Sequence, residues 1–159
     1  MDLIWLVLHP KPEDAFLDYR NLIVNKIPGM ELIAKKKFLG EALNVMNDFW
    51  PEIFNFFPRT YTFPDDAKRL EKDMKGAQKY YIAKPTSGSQ GDGIYLIKNY
   101  QELRSYRFRN IESTIVQQYI HNPLLLHGKK FDLRLFVVVL NIKPCVAFLC
   151  DEGLARFCT

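Results

Sequence analysis

The stretch KFDLRLFVVV, residues 130–139, combines charged and apolar residues in the alternating pattern of a β-strand. Side chains on a strand point alternately to its two faces, so Lys130, Asp132 and Arg134 are predicted to share one face. The opposite face receives the apolar residues Phe131, Leu133, Leu135, Val137 and Val139. Unpaired charges are costly to bury, so the charged face either contacts water or binds a ligand. Successive charged side chains would lie roughly 7 Å apart, a spacing that suits a phosphate chain or a metal-bound ligand.

A lysine followed by a glycine-rich loop lies upstream, in KPTSGSQGDGI at residues 84–94. YYIAKP predicts a strand that ends at Lys84, and Gly88, Gly91 and Gly93 would let backbone N–H groups turn toward an anion. The Walker sequence is absent. A protein kinase is disfavoured, because in kinases the glycine loop precedes the strand lysine, whereas here the lysine comes first and no HRD or DFG motif follows. Taken alone, the segment fits a hairpin loop as often as a phosphate-binding loop.

Two later segments carry further polar groups. IVQQYI at 115–120 predicts an apolar strand whose two glutamines could hydrogen-bond an adenine edge, although an ordinary edge strand is favoured from this segment alone. In GLARF at 153–157, Arg156 follows the predicted hairpin and could bind a carboxylate bidentately. A solvated surface arginine is the more common outcome for a single residue.

Composition limits the class of protein. The chain has 159 residues, of which 48% are hydrophobic and 14% aromatic, enough for one domain with a core. Its formal net charge of +4 suits an acidic partner without requiring nucleic acid. Three cysteines without a CxxC spacing favour a reduced, intracellular chain. No apolar run approaches the ~20 residues of a membrane helix, so we expect a soluble, cytosolic protein without a membrane partner. A nucleic-acid partner is likewise not expected.

Periodicity and turn residues predict a mixture of helices and antiparallel strands. A helix is predicted over residues 36–49, with Leu39, Leu43, Met46 and Phe49 at helical spacing and Pro51 as its stop. A second helix is predicted within PDDAKRLEKDMKG, residues 64–76, with a start signal at its proline and two aspartates, a stripe of Ala67, Leu70 and Met74, and a stop at Gly76. A short helix is expected over 99–108. Strands are predicted in YYIAKP, IYLIK, TIVQQYI, KFDLRLFVVVL and CVAFLC, and HNPLLLHGK is predicted to be a loop.

The order of these motifs resembles the tubulin-tyrosine-ligase-like family, whose members have an ATP-grasp fold. The resemblance rests on the strand lysine, the glycine loop, QQYI, KFDLR and GLARF, together with IPGM at 27–30, NFFPRTYTFP at 55–64 and IAKPTSGSQGDGIYL at 82–96. It implies an α+β chain with part of an ATP-grasp fold. Residues 1–63 would form an N-terminal segment packing on the core, 64–126 the central lobe with the glycine-rich loop, and 127–159 the start of the C-terminal lobe.

The resemblance also implies a reaction. Enzymes of this family use ATP to convert a protein carboxylate to an acylphosphate, which the amine of an incoming amino acid then attacks. The motifs look most like the branch that adds glutamate to tubulin C-terminal tails, so tubulin or microtubules and free glutamate are the implied partners. Glycine and tyrosine ligation are alternatives within the family. A non-catalytic nucleotide- or microtubule-binding module is an alternative of another class. The cytoplasm and cytoskeleton are the implied location, with the cilium or basal body as a further one.

Roles for individual residues follow from the same resemblance. It assigns the ATP phosphates to Lys84, Gln90, Gly91, Asp92 and Gly93, the adenine to Gln117, Gln118, Tyr119 and Ile120, and further nucleotide contacts to Lys130, Phe131 and Asp132. Arg134 would stabilise the reaction centre, and Arg156 would bind the carboxylate of the incoming amino acid. Asp92 departs from the family, because many relatives have a basic residue there.

ATP and Mg²⁺ are the implied cofactors. The family's magnesium ligands are expected beyond Thr159, with none in this chain, so residues 1–159 alone are expected to lack ligase activity.

Overall fold

The computed structural model of the chain describes residues 2–6, 22–27, 29–75, 79–87, 92–105 and 111–158. The chain divides into two compact units, Met1–Tyr119 and Ile120–Thr159, and each is described by itself. The domain boundaries that the sequence suggested, after residues 63 and 126, stay predictions, as does the assignment to part of an ATP-grasp fold. Helices and mostly antiparallel strands are both present, which confirms the mixed class.

The first unit consists of short strands and helices. In chain order they are β1 (Asp2–Ile4), β2 (Leu22–Val24), α1 (Met30–Ile33), α2 (Lys36–Phe49), β3 (Thr60–Thr62), α3 (Ala67–Met74), β4 (Tyr81–Pro85), β5 (Tyr95–Ile97), α4 (Tyr100–Arg104), a 3₁₀ turn (Ile111–Ser113) and β6 (Thr114–Gln118). β1 and β2 pair in parallel. Gly29, whose φ of 85° lies in the left-handed region, directly precedes α1.

An antiparallel sheet with the strand order β3-β6-β4-β5 organises this unit. Tyr61, Val116 and Ala83 lie opposite one another across three strands, and all three are buried. This face forms the core together with Leu70 of α3 and Leu103 of α4, which are 0% and 1% exposed. The core therefore lies between one face of the sheet and these two helices.

Helix α2 has the predicted bounds, but a different face of it contacts the sheet. Of the apolar residues at helical spacing, Leu39 is 42% and Phe49 70% exposed, so these two do not make the contact. The buried residue is Gly40, which lies so close to Thr60 that an added Cβ would be 2.6 Å from its side chain. Asn44 fixes the same contact, since its amide donates to the Thr60 carbonyl at 2.6 Å and its oxygen accepts from the Thr60 N–H at 3.2 Å.

Helix α3 confirms the predicted apolar stripe, because Leu70 and Met74 are buried and Ala67 packs against the same core. Asp66 occupies the N-cap position, but its carboxylate does not cap the helix. It accepts hydrogen bonds from the N–H and hydroxyl of Thr62, at 2.8 and 3.3 Å, and so closes the turn between β3 and α3. The predicted stop, Gly76, lies outside the described residues.

The second unit is a sheet of three antiparallel strands, β7 (Leu125–Leu126), β8 (Lys129–Ile142) and β9 (Cys145–Phe157). The predicted hairpin is confirmed, and β9 continues through GLARF. The loop expected over HNPLLLHGK was wrong in part, since Leu125 and Leu126 pair with the start of β8. Within this unit the predicted apolar side chains of β8 are largely exposed, for example 58% for Leu133 and 60% for Val137.

No helix in the described part of the chain combines the length and apolar character that crossing a membrane requires.

Candidate functional site

Lys84 lies near the end of β4, on the face of the sheet opposite the core. Its neighbours along the strand, Ala83 and Tyr81, point into the core, so alternation directs Lys84 to the other side. The Lys84 ammonium donates a hydrogen bond to Gln117 Oε1 at 2.9 Å, and Gln117 Nε2 donates to Thr60 Oγ1 at 2.7 Å. Lys84, Gln117 and Thr60 therefore form a polar row across β4, β6 and β3, in which the amide oxygen of Gln117 faces the lysine.

A cavity of about 330 Å³ opens beside this row, between α2 and the sheet. Its apolar lining includes Leu39, Leu43, Phe57 and Ile115, and its polar groups come from Lys36, Lys84 and Gln117. A mostly apolar cleft with a few convergent polar groups is typical of small-molecule sites. Cations in such surroundings attract an anion more strongly than cations in bulk water.

Sequence reasoning missed Lys36, which the structure brings to the same cavity as Lys84. The Lys36 ammonium donates to the carbonyl oxygen of Pro85 at 3.2 Å, so it lies at the end of β4. Helix spacing alone could not identify Lys36, because its partner lies in another element. Lys36 shares one face of α2 with Gly40 and Leu43, which follow it by four and seven residues.

The segment predicted to hold adenine continues from β6 to the start of the second unit. Gln118 pairs with Tyr81, and the Tyr119 N–H donates to the carbonyl oxygen of Tyr80 at 2.8 Å. Lys84 follows Tyr80, the residue before β4, by four positions, which is about 13 Å at the usual rise of a strand. Ile120 is the first residue of the second unit and is 58% exposed.

The glycine-rich loop is described only in part. Gln90 and Gly91 lie outside the described residues, as does Gly88. Asp92 and Gly93 form an exposed turn, and Gly93 has a φ of 70°, in the region that favours glycine. A glycine is therefore required by the backbone at the last position of the predicted loop.

The charged face of β8 carries the second group of predicted residues. Asp132 lies directly opposite Arg156 in the β8–β9 register, and opposite residues share one face of a sheet. Arg156 donates from Nε to Asp132 Oδ1 at 2.7 Å and from Nη2 to Oδ2 at 2.9 Å. These hydrogen bonds hold the pKa of Asp132 below its ordinary value, and the charge of Arg134 acts in the same direction. They also raise the pKa of Arg156.

This arrangement corrects the expected position of Arg156. The sequence placed it after the hairpin, whereas it lies within β9, and the carboxylate that it binds in the structure belongs to Asp132. Gly153 makes the local pairing close, since a Cβ there would be 2.7 Å from the Arg134 carbonyl oxygen. The neighbouring pair, Phe131 and Phe157, places its ring centroids 6.0 Å apart across the same two strands.

Across the described residues, no three histidine, cysteine, aspartate or glutamate side chains gather as a metal site. The predicted site residues lie on both units. The first unit contains Lys84, Asp92, Gly93 and Gln117 to Tyr119. The second unit contains Ile120, Lys130 to Asp132, Arg134 and Arg156.

Comparison with known proteins identifies relatives over most of the chain. A family model described as "Tubulin-tyrosine ligase family" matches residues 18–159. The tubulin polyglutamylase TTLL11 of Homo sapiens is 37% identical over 143 residues, which cover 86% of this chain and 20% of the relative. The tubulin polyglutamylase ttll6 of Danio rerio is 39% identical over 137 residues, covering 86% of this chain and 17% of the relative. The chain thus spans a fifth or less of the length of these curated relatives.

Proposed function

Because the chain belongs to the tubulin-tyrosine ligase family, we propose that the protein is an ATP-dependent ligase that adds glutamate to glutamate side chains of tubulin C-terminal tails. The relatives described above are all named tubulin polyglutamylases, which supports glutamate over glycine or tyrosine as the added amino acid. The net charge of +4 suits an acidic tail as acceptor. Tubulin as acceptor implies that the protein acts at the cytoskeleton, and a ciliary location stays a prediction.

The proposed reaction has two steps. The acceptor carboxylate first takes the terminal phosphoryl group of ATP, which gives an acylphosphate and ADP. The amine of free glutamate then attacks the acyl carbon, the new amide bond forms, and phosphate leaves. Both steps bring anionic groups together, so the protein must supply positive charge and fixed positions for the reactants. Mg²⁺ is the proposed cofactor, but the described residues form no ligand set for it, and we assign it no residue.

The observation that carries the nucleotide part is the convergence of Lys84 and Lys36 on one cavity. Two ammonium groups beside an apolar surface suit the phosphates of a nucleotide, which are too highly charged for an apolar pocket alone. The Gln117 amide fixes the Lys84 ammonium and so reduces the ordering that ligand binding requires. In this proposal Lys84 contacts the phosphates, and Gln117 to Ile120 contact the adenine.

The charged face of β8 and β9 supports the reacting part. It combines the cations of Lys130, Arg134 and Arg156 with the carboxylate of Asp132. We assign stabilisation of the phosphoryl group at the reaction centre to Arg134, nucleotide contacts to Lys130 and Phe131, and the incoming carboxylate to Arg156. Asp92 would repel both phosphate and a glutamate-rich tail, and we therefore propose that it influences acceptor choice.

Thermal unfolding with Mg·ATP tests the nucleotide part. A ligand that binds only the folded state at a hundredfold excess over Kd stabilises it by about 2.7 kcal/mol, which raises Tm by several degrees. We expect this rise for the wild type and its loss in Lys84→Ala. Lys79→Ala, which removes an exposed lysine before β4, should keep it. An unchanged Tm with Mg·ATP would instead favour the non-catalytic module.

The acceptor and the added amino acid are tested at the native gene. Replacing Lys84 by Ala there should lower the level of polyglutamylated tubulin, measured with antibodies against glutamate chains, whereas Lys79→Ala should not. A fall in glycylated or tyrosinated tubulin with unchanged polyglutamylation would transfer the assignment to one of the other two amino acids.

A further inference from the structure

We propose that Asp132 is a positioning residue that holds one edge of the Arg156 guanidinium, so that the other edge is presented to a carboxylate of the incoming amino acid. The inference rests on the proposed function, because it takes the amino acid as the ligand of Arg156. It changes the role of Asp132, which the resemblance treats as a nucleotide contact.

The geometry of the pair carries the proposal. A guanidinium is planar and has two edges that can each bind a carboxylate with two parallel hydrogen bonds. Asp132 takes the edge formed by Nε and Nη2, at 2.7 and 2.9 Å. The remaining edge, formed by Nη1 and the second hydrogen of Nη2, therefore points away from Asp132. A second carboxylate approaching that edge would find two donors already in the correct plane.

The surrounding charges make a second carboxylate favourable. Lys130 and Arg134 lie two residues to either side of Asp132 and on the same face of β8, and Arg156 lies opposite. Three cations therefore lie around the Asp132 carboxylate, which favours the approach of an anionic ligand to this part of the face. The low pKa of Asp132 keeps it charged, so it remains an acceptor for Arg156 at neutral pH.

Exposure explains why positioning is needed. The side chains of Arg156 and Asp132 are 57% and 58% exposed, so packing alone does not select a rotamer for the long arginine. An arginine that must be ordered by its ligand binds more weakly than one that is ordered beforehand. The backbone register fixes Asp132 opposite Arg156, and the short aspartate then transfers that order to the guanidinium.

The pair also has a consequence for specificity. A carboxylate is common to glutamate, glycine and tyrosine, so the Asp132–Arg156 pair would bind all three equally. Selection of glutamate over the other two must then depend on residues other than this pair.

The test is an NMR titration of the ¹⁵N-labelled chain with L-glutamate, observing the Nε–H signal of Arg156, which Arg156→Lys assigns by its disappearance. We expect the signal to shift on addition of glutamate, and Asp132→Asn to weaken glutamate binding by roughly tenfold. Asp151→Asn makes the same chemical change at another exposed aspartate of β9 and should bind glutamate like the wild type.

Two outcomes would overturn the proposal and leave different parts of the function standing. If Asp132→Asn binds glutamate as tightly as the wild type but loses the stabilisation by Mg·ATP, Asp132 is a nucleotide contact and not a positioning residue. If glutamate never shifts the Arg156 signal in the wild type, Arg156 is not a carboxylate site. In both cases a Tm shift that depends on Lys84 would still support nucleotide binding by the first unit.

Discussion

Tyr61 shows how one residue of the core combines burial with a polar contact. Its ring is 5% exposed, and its hydroxyl donates to Asp73 Oδ2 at 2.8 Å. Tyr81 packs edge-on against it, with the ring centroids 6.3 Å apart, and donates to the Asp73 carbonyl oxygen at 3.2 Å. Burial raises the pKa of Tyr61 well above 10, and the hydrogen bond to Asp73 adds to this effect. The core therefore depends on the protonated form of this phenol.

Tyr61→Phe should consequently destabilise the protein less at alkaline pH than at neutral pH. Losing a hydrogen bond to a charged acceptor costs about 1.5–3 kcal/mol at pH 8. Above pH 10 the unfolded tyrosine ionises while the folded one stays protonated, so the wild type loses stability as pH rises toward the raised pKa. The phenylalanine variant lacks this loss, and the difference between the two proteins should narrow by about 1.4 kcal/mol at pH 11.

Urea unfolding at pH 8 and pH 11 measures this difference. Asp73→Asn serves as the control, because it keeps an oxygen acceptor and removes the charge. Burial is the larger cause of the raised pKa, so this variant should retain most of the pH dependence. If the free energies of unfolding of the wild type and Tyr61→Phe differ by the same amount at pH 8 and pH 11, the pKa of Tyr61 is not raised by folding.

The sequence predicted some of these residue-level features better than others. Alternation along KFDLRLFVVV correctly placed Asp132 and Arg134 on one face, because strand geometry depends only on neighbouring residues. The pairing of Asp132 with Arg156 depends on the register of two strands, which are 24 residues apart at this point, and it was not predicted. Lys36 was missed for the same reason, since its partner lies in β4.

At the level of elements, the contact of α2 with β3 depends on a glycine in the middle of a helix. Glycine is unfavourable there relative to alanine, by about 1 kcal/mol. Gly40 nevertheless occupies the only buried position of α2, against the side chain of Thr60. Gly40 thus lowers the helix propensity of α2. In return it lets α2 approach β3 closely enough for the two hydrogen bonds between Asn44 and Thr60.

Gly40→Ala should therefore destabilise the protein, against the trend of helix propensity. An added Cβ would meet Thr60 side-chain atoms at 2.6 to 2.7 Å, and such overpacking typically costs about 1–3 kcal/mol. Ala42→Gly, at an exposed position of the same helix, should lose about 1 kcal/mol from propensity alone. Chemical denaturation of both variants tests the contact, and a stabilised Gly40→Ala would show that the helix does not approach Thr60 this closely.

Element bounds and element contacts differed in how well they could be predicted. The helix over residues 36–49 was located to the residue, because its periodicity and the following proline are local signals. The face of α2 that packs could not be inferred from apolar spacing, since a glycine and an asparagine make the contact. β7 could not be predicted from the sequence either, because a strand of two residues has no periodicity. It is a strand only through its pairing with β8.

For the molecule as a whole, the order of motifs was more informative than any single motif. Each motif had an ordinary structural explanation when taken alone: the strand lysine, the glycine loop, QQYI, KFDLR and GLARF. Their order along the chain nevertheless indicated the family that the comparisons then showed. Composition and periodicity supplied the mixed class and most of the elements. The distribution of the site residues over two units does not follow from composition or periodicity, because it depends on contacts between distant parts of the chain.

An NMR titration with Mg·ATP tests most directly whether ATP binds on the Lys84 face of the first unit. We expect shifts of the Gln117 side-chain amide and of the backbone amides of Gln118 and Tyr119. The side-chain amides of Asn99 and Gln101 line a separate cavity of about 290 Å³ beside α3 and α4, and they should not move. Shifts confined to Asn99 and Gln101, or no shift at Gln117 at saturating Mg·ATP, would contradict binding on the Lys84 face.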